Sequence, residues 1–145
     1  MNYTPRRMLP LALYALMLAG CGTPHGVLGT LGTLSPLPNP DQAAEIVVIR
    51  PYWYVGSGQG RGIWLDGVLL YGISSDEYVV IQVAPGHHIV GVSDNESKED
   101  ATVAVLAEAR QRYYFRTGMI ESGPDIFPIA AGPAKALIEK SRQVK

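Results

Sequence analysis

Ile63-Trp64-Leu65-Asp66-Gly67-Val68-Leu69-Leu70-Tyr71 is the stretch whose reading decides the fold. Two apolar runs flank Asp66-Gly67. A two-residue type I′ turn needs positive φ at both central positions, which Asp and Gly tolerate better than other pairs. The stretch therefore predicts a β-hairpin, and Asp66 reads as a turn residue before it reads as a catalytic carboxylate.

Working outward, the same texture continues on both sides. Glu45-Ile46-Val47-Val48-Ile49-Arg50 is a β-branched run of strand length, apolar on both faces, as a central strand requires. Pro51 cannot donate to a ladder, so the strand ends or bends there. Downstream, Glu77 to Val83 reads as a strand, and Asp76-Glu77 as a solvated turn before it. Ala84-Pro85-Gly86-His87 has Pro and Gly where a type II turn wants them, which predicts that His88 to Val92 returns antiparallel. Asp94 to Asp100 is a polar, mostly acidic loop. Thr102, Val103 and Val105 make Ala101 to Ala107 a strand, and Arg112 to Ile120 is a long one with aromatic weight. Ile126 to Ala130 is a further short strand.

Gly132-Pro133 reads as a helix start with Pro at the first helical position. Ala134, Leu137, Ile138 and Ser141 then share one face. The expectation is a mainly β chain: an antiparallel β-sandwich or open barrel of six to seven strands, with one short C-terminal helix covering part of a sheet.

The order of these signals carries a resemblance. Leu65-Asp66-Gly67, Tyr78 to Val83, Pro85-Gly86-His87, Tyr113-Tyr114-Phe115 and Pro133 to Ile138 resemble a family of small bacterial lipoproteins classed as a domain of unknown function. The hairpin with its Pro-Gly-His turn is similar to PEGA-type β-sandwich domains. The resemblance spans residues 45–140 and brings no catalytic residue. It implies an envelope protein, with a surface or carbohydrate-linked role.

The N-terminus agrees with that setting. Arg6 and Arg7 precede an apolar run from Leu9 to Leu18, and Ala19 and Gly20 precede Cys21, the one cysteine of the chain. Positive, then apolar, then small is the layout of a secretory signal peptide. The run is about half of the roughly 20 residues that a transmembrane helix needs. Leu18-Ala19-Gly20-Cys21 resembles the lipobox of bacterial lipoproteins, which implies cleavage before Cys21 and a diacylglycerol on its sulfur. Gly22, where aspartate often marks inner-membrane retention, favours the outer membrane facing the periplasm by that analogy. The domain reading is a signal peptide at 1–20, a lipidated Cys21 with a Gly/Pro-rich flexible linker over 21–41, and a β-sandwich domain at 42–145.

Charge and motifs narrow the function. Loss of Arg6 and Arg7 with the signal leaves 10 basic residues against 13 acidic, a net of −3. That is no footprint for nucleic acid, which wants a strongly basic face. Gly56 to Gly62 is glycine-rich, but it lacks the Gly-Lys-Ser/Thr of a Walker loop and misses the spacing of a dinucleotide loop, so it reads as a mobile connection. His87 and His88 are adjacent, so they point to opposite faces of a strand and cannot easily share a metal. Ser57 lacks the elbow of a serine hydrolase. Asp94 to Asp100 lacks the order of a calcium loop. No catalytic residue, metal site or cofactor is predicted.

The aromatics remain. Tyr52, Trp53 and Tyr54 cluster beside the glycine-rich loop, and Trp64 opens the next strand. Exposed aromatics stack on sugar rings or enter a partner's pocket. The expectation is a non-enzymatic, lipid-anchored module that binds an envelope protein or glycan through these residues. The alternative is a periplasmic enzyme acting on cell-wall glycan or lipid.

Overall fold

The computed structural model describes residues 29–52, 58–94, 96–120 and 123–145. Among the described residues, ten strands and one α-helix run in the order β1 (Gly29–Thr30), β2 (Ala44–Arg50), β3 (Arg61–Leu65), β4 (Val68–Ile73), β5 (Glu77–Val83), β6 (Gly86–Ser93), β7 (Ala101–Ala107), β8 (Arg112–Ile120), β9 (Gly123–Pro128), α1 (Ala131–Ile138) and β10 (Arg142–Gln143). They form two five-stranded sheets. One has the order β1-β4-β3-β6-β7, the other β10-β5-β2-β8-β9. The fold is a β-sandwich with a short C-terminal helix.

The hairpin forms as its turn chemistry dictates. Asp66 and Gly67 have φ of 50° and 79°, and Leu65 pairs with Val68 across the turn. In β2, alternation sends Ile46 and Val48 into the space between the sheets and Val47 and Ile49 to the other side. Both sets are buried, because α1 lays Ala134, Leu137 and Ile138 over Val47 and Ile49. The run that looked apolar on both faces is thus covered on both. Each such aliphatic side chain contributes about 1.5–3 kcal/mol on full burial. The helix begins at Ala131, so Pro133 falls in its first turn, where a missing N–H costs nothing. Among the described residues no helix is long and apolar enough to cross a membrane.

Four features differ from the sequence expectation. The Pro85-Gly86 turn does not return the chain beside β5. β6 pairs with β3 and β7 in the opposite sheet, so this turn is a corner between layers. The alternation of β6 is the same whether it lies beside β5 or faces it across the core, so pattern alone could not choose. The sheets are also not wholly antiparallel, since β8 runs parallel to β2 and β10 runs parallel to β5. The last pairing adds a strand after the helix that the sequence did not announce.

The segment expected to belong to a free linker lies against the domain from residue 29 onward. Gly29 and Thr30 pair with Gly72 and Tyr71. Leu31 and Gly32 donate their N–H groups to the Leu70 carbonyl at 2.8 and 3.2 Å. An added side chain at Gly32 would collide with the Leu69 carbonyl, so glycine permits the approach. Finally, Glu77 is not in a solvated turn. It is 5% exposed, accepts from the Ser74 N–H at 2.7 Å and is ion-paired with Arg142.

Candidate functional site

Strand alternation collects polar side chains at one end of the sandwich interior. Arg50 continues the inward phase of Ile46 and Val48, and Arg61 precedes the inward Ile63 and Leu65. Thr117 follows the inward Phe115, and Glu77 precedes the inward Val79. All four are nearly sealed from solvent, Arg50 at 6% and Arg61 at 3% exposure.

Arg50 ties the two sheets together. Its Nη1 donates to the carbonyls of Gln59 at 2.6 Å and of Ile73, on the facing sheet, at 2.8 Å. Burial, and then the nearby Arg61 charge, lower its pKa to about 10, with Asp94 and Glu77 pulling the other way. Arg61 is lowered as well, by burial first, against the pull of Asp94 and Asp100.

The Arg61 guanidinium is poorly satisfied. Nη1 stands 3.2 Å from Asp94 Oδ1, but the alignment is not that of a hydrogen bond, and Nε has no acceptor among the described residues. Nη2 faces Met119 Sδ at 3.9 Å. The buried Thr117 hydroxyl also lacks a partner among the described residues. Arg50, Arg61, Arg116 and Thr117 line a cavity of about 20 Å³ together with Pro51, Gly118 and Met119. Three arginines are among the described residues that border this space. On the other face of β8, a cleft of about 170 Å³ is lined by Arg116, Gly118, Met119, Ile120 and Phe127. The Arg116 guanidinium lies over the Phe127 ring, 5.9 Å from its centroid, and Phe127 and Ile120 are 37% and 50% exposed.

The opposite end carries a different cluster. His88 Nδ1 lies 2.7 Å from Asp66 Oδ2, and Nε2 lies 2.8 Å from the Ala84 carbonyl. Asp66 Oδ1 accepts from the Ile89 N–H at 2.8 Å. Burial works to lower the His88 pKa, but hydrogen bonds to Asp66 and Ala84, with the Asp66 charge, outweigh it and raise the pKa above its ordinary value. Asp66 is therefore both a turn residue and a clamp on the next sheet strand. His87 takes the exposed side of β6, so the two histidines diverge as alternation requires.

Of the aromatic candidates, Tyr52 and Trp64 lie among the described residues. Tyr52 is 59% exposed and follows Pro51 of the arginine-lined cavity. Trp53 and Tyr54, and the lipidation candidate Cys21, lie outside the described residues. Trp64 is 9% exposed. It points away from the inter-sheet core, opposite Gly91, and its indole N–H donates to Ser93 Oγ at 2.7 Å. It packs against its own sheet and offers little to a partner. The arginines were missed, although their phase with neighbouring core residues was a readable signal.

A scan against protein-family models finds no match for this chain, and neither does a search of curated proteins.

Proposed function

We propose that this chain is a lipid-anchored protein of the bacterial cell envelope, a non-enzymatic binding module held at the outer membrane and facing the periplasm. The lipobox-like Leu18-Ala19-Gly20-Cys21, behind a positive start and an apolar run, is the observation that carries the anchor. Two or three acyl chains on one residue, at about 0.8 kcal/mol per buried methylene, suffice for stable attachment where one chain is marginal. Partner binding is supported by the placement of Tyr52, which is exposed and follows Pro51 of the arginine-lined cavity. The partner is an envelope protein or glycan.

Two measurements test this. Mass spectrometry of the N-terminus of the native protein should find a diacylated Cys21, and Cys21→Ser should abolish it; a mature protein that begins elsewhere, unmodified, defeats the anchor. Pull-downs from envelope extract with the wild type, Tyr52→Ala, Trp53→Ala and Tyr54→Ala test the surface. Loss of one aromatic anchor costs about 2 kcal/mol, roughly thirtyfold in affinity. Equal recovery of the same partners by all folded variants moves the binding surface elsewhere.

A further inference from the structure

We infer that the end of the sandwich bearing Arg50 and Tyr52 faces the bilayer that holds Cys21, and that Tyr52 and Ile120 settle there among zwitterionic headgroups. The inference deepens the anchor reading above and rests on it.

The length of chain between anchor and domain sets the geometry. A linker free over 21–41 would let the domain hang at any angle, but pairing with β4 fixes the chain at Gly29. Eight residue steps then separate Cys21 from Gly29. Such a length spans roughly 28 Å at most, and a flexible chain of that length averages about 16 Å. Gly29 pairs with Gly72 and borders one cleft with Ser74, Glu77 and Arg142, and Glu77 pairs with Arg50. The chain therefore arrives from the anchor at the arginine end. From there it passes Leu70 and Ile81, and Leu34 to Pro38 reach Leu65, Asp66 and His88 at the hairpin end. Strands of seven residues, such as β2 and β5, set the two ends roughly 20 Å apart. Contact by the hairpin end would draw the connection out along the domain, past its average span. Contact by the arginine end leaves it slack, so that end has the higher effective concentration at the surface.

The same end carries side chains suited to an interface. Tyr52 and Ile120 are both exposed. β2 and β8 are parallel neighbours with Ile49 opposite Arg116, so Tyr52, three residues beyond Ile49, and Ile120, four beyond Arg116, both lie at this end. A branched aliphatic chain gains by leaving water, and a phenol ring joins an apolar body to a polar tip, which suits the headgroup level. The charges here give anionic headgroups no advantage. Arg61 is ion-paired with Asp94 and Arg142 with Glu77, and Glu96, Glu99 and Asp100 outnumber Lys98 in the connection from β6 to β7.

The test uses the full chain lipidated on Cys21 and reconstituted in phosphatidylcholine vesicles. Tyr52→Cys, Ile120→Cys and Val68→Cys, made one at a time, each supply a single free thiol for a fluorophore, because the lipid occupies Cys21. Val68 is the control, exposed beside the turn at the hairpin end. A lipid with a nitroxide on its headgroup is the quencher. Fluorescence at 52 and at 120 should be quenched at least twofold more than at 68, and replacing a third of the lipid by phosphatidylglycerol at low salt should not increase that quenching. Equal quenching at the three sites, or the strongest at 68, in vesicles that carry the lipidated chain with them on flotation overturns this inference and leaves the anchor standing. Quenching at 52 and 120 that at least doubles with phosphatidylglycerol overturns the zwitterionic surface. A chain without lipid on Cys21 that stays behind when the vesicles float overturns the anchor and this inference together.

Discussion

The His88 imidazole bridges the Asp66 carboxylate and the Ala84 carbonyl, at 2.7 and 2.8 Å from its two ring nitrogens. Both neighbours are acceptors, so only the doubly protonated ring satisfies both. This contact joins the β3–β4 turn to the corner by which the chain crosses between sheets.

A pH dependence of stability follows from that pair. The folded-state pKa of His88 is raised, so the folded protein binds this proton more tightly than the unfolded chain does. The contribution is complete below the unfolded value of about 6.5 and is lost as pH rises through the higher folded value. The melting temperature should fall across that window in the wild type. It should change less in His88→Gln and in Asp66→Asn. Parallel profiles for all three proteins would remove His88 as the source.

Gly67→Val tests the hairpin. Gly67 has φ of 79°, where a β-branched residue is strained, and nothing crowds the position sterically. The expected loss is about 1–3 kcal/mol, all of it from backbone strain. Gly67→Asn, which tolerates positive φ, should lose much less. Equal denaturant midpoints for glycine and valine would contradict the turn.

Arg50→Met tests the tie between sheets. The substitution keeps the apolar stem and removes the donors to the Gln59 and Ile73 carbonyls. A buried acceptor left unpaired costs about 1–3 kcal/mol. Chemical denaturation should show a loss of that size. Arg50→Lys should recover only part of it, because one ammonium cannot reproduce the planar fork of the guanidinium.

Ser93→Ala tests Trp64. Ser93 is fully buried, and its hydroxyl accepts from the Trp64 indole N–H at 2.7 Å. Without that acceptor the donor is stranded, at about 1–3 kcal/mol. Trp64→Phe should lose less of the effect when Ser93 is already alanine, so a double-mutant cycle should give a coupling of at least about 0.5 kcal/mol. Additive losses would mean that the two residues do not interact. Gly62→Ala should be destabilising as well, because the new methyl group meets Ser93 Oγ and stands 3.2 Å from Trp64 Nε1.

Local chemistry was enough to determine some parts of this molecule. Asp66-Gly67 dictated its turn because only certain residues accept positive φ, and β2 announced its central place because Ile46 to Ile49 had to be covered on both faces. The face of α1 was readable because Ala134, Leu137 and Ile138 recur at the helical period. What pairing partner each strand takes was not readable, since β6 keeps the same alternation beside β5 or across from it, and only the competition among all edges decides. The same limit hid the site. Arg50 and Arg61 lie on strands of different sheets, and their sequence phase shows that each faces inward. Only the stacking of those sheets brings them to one cavity with Thr117 and Arg116. Trp64 shows the converse. Its residue type suggested a contact surface, but its hydrogen bond to Ser93 and its burial depend on β6 lying beside β3, a pairing settled by the tertiary fold.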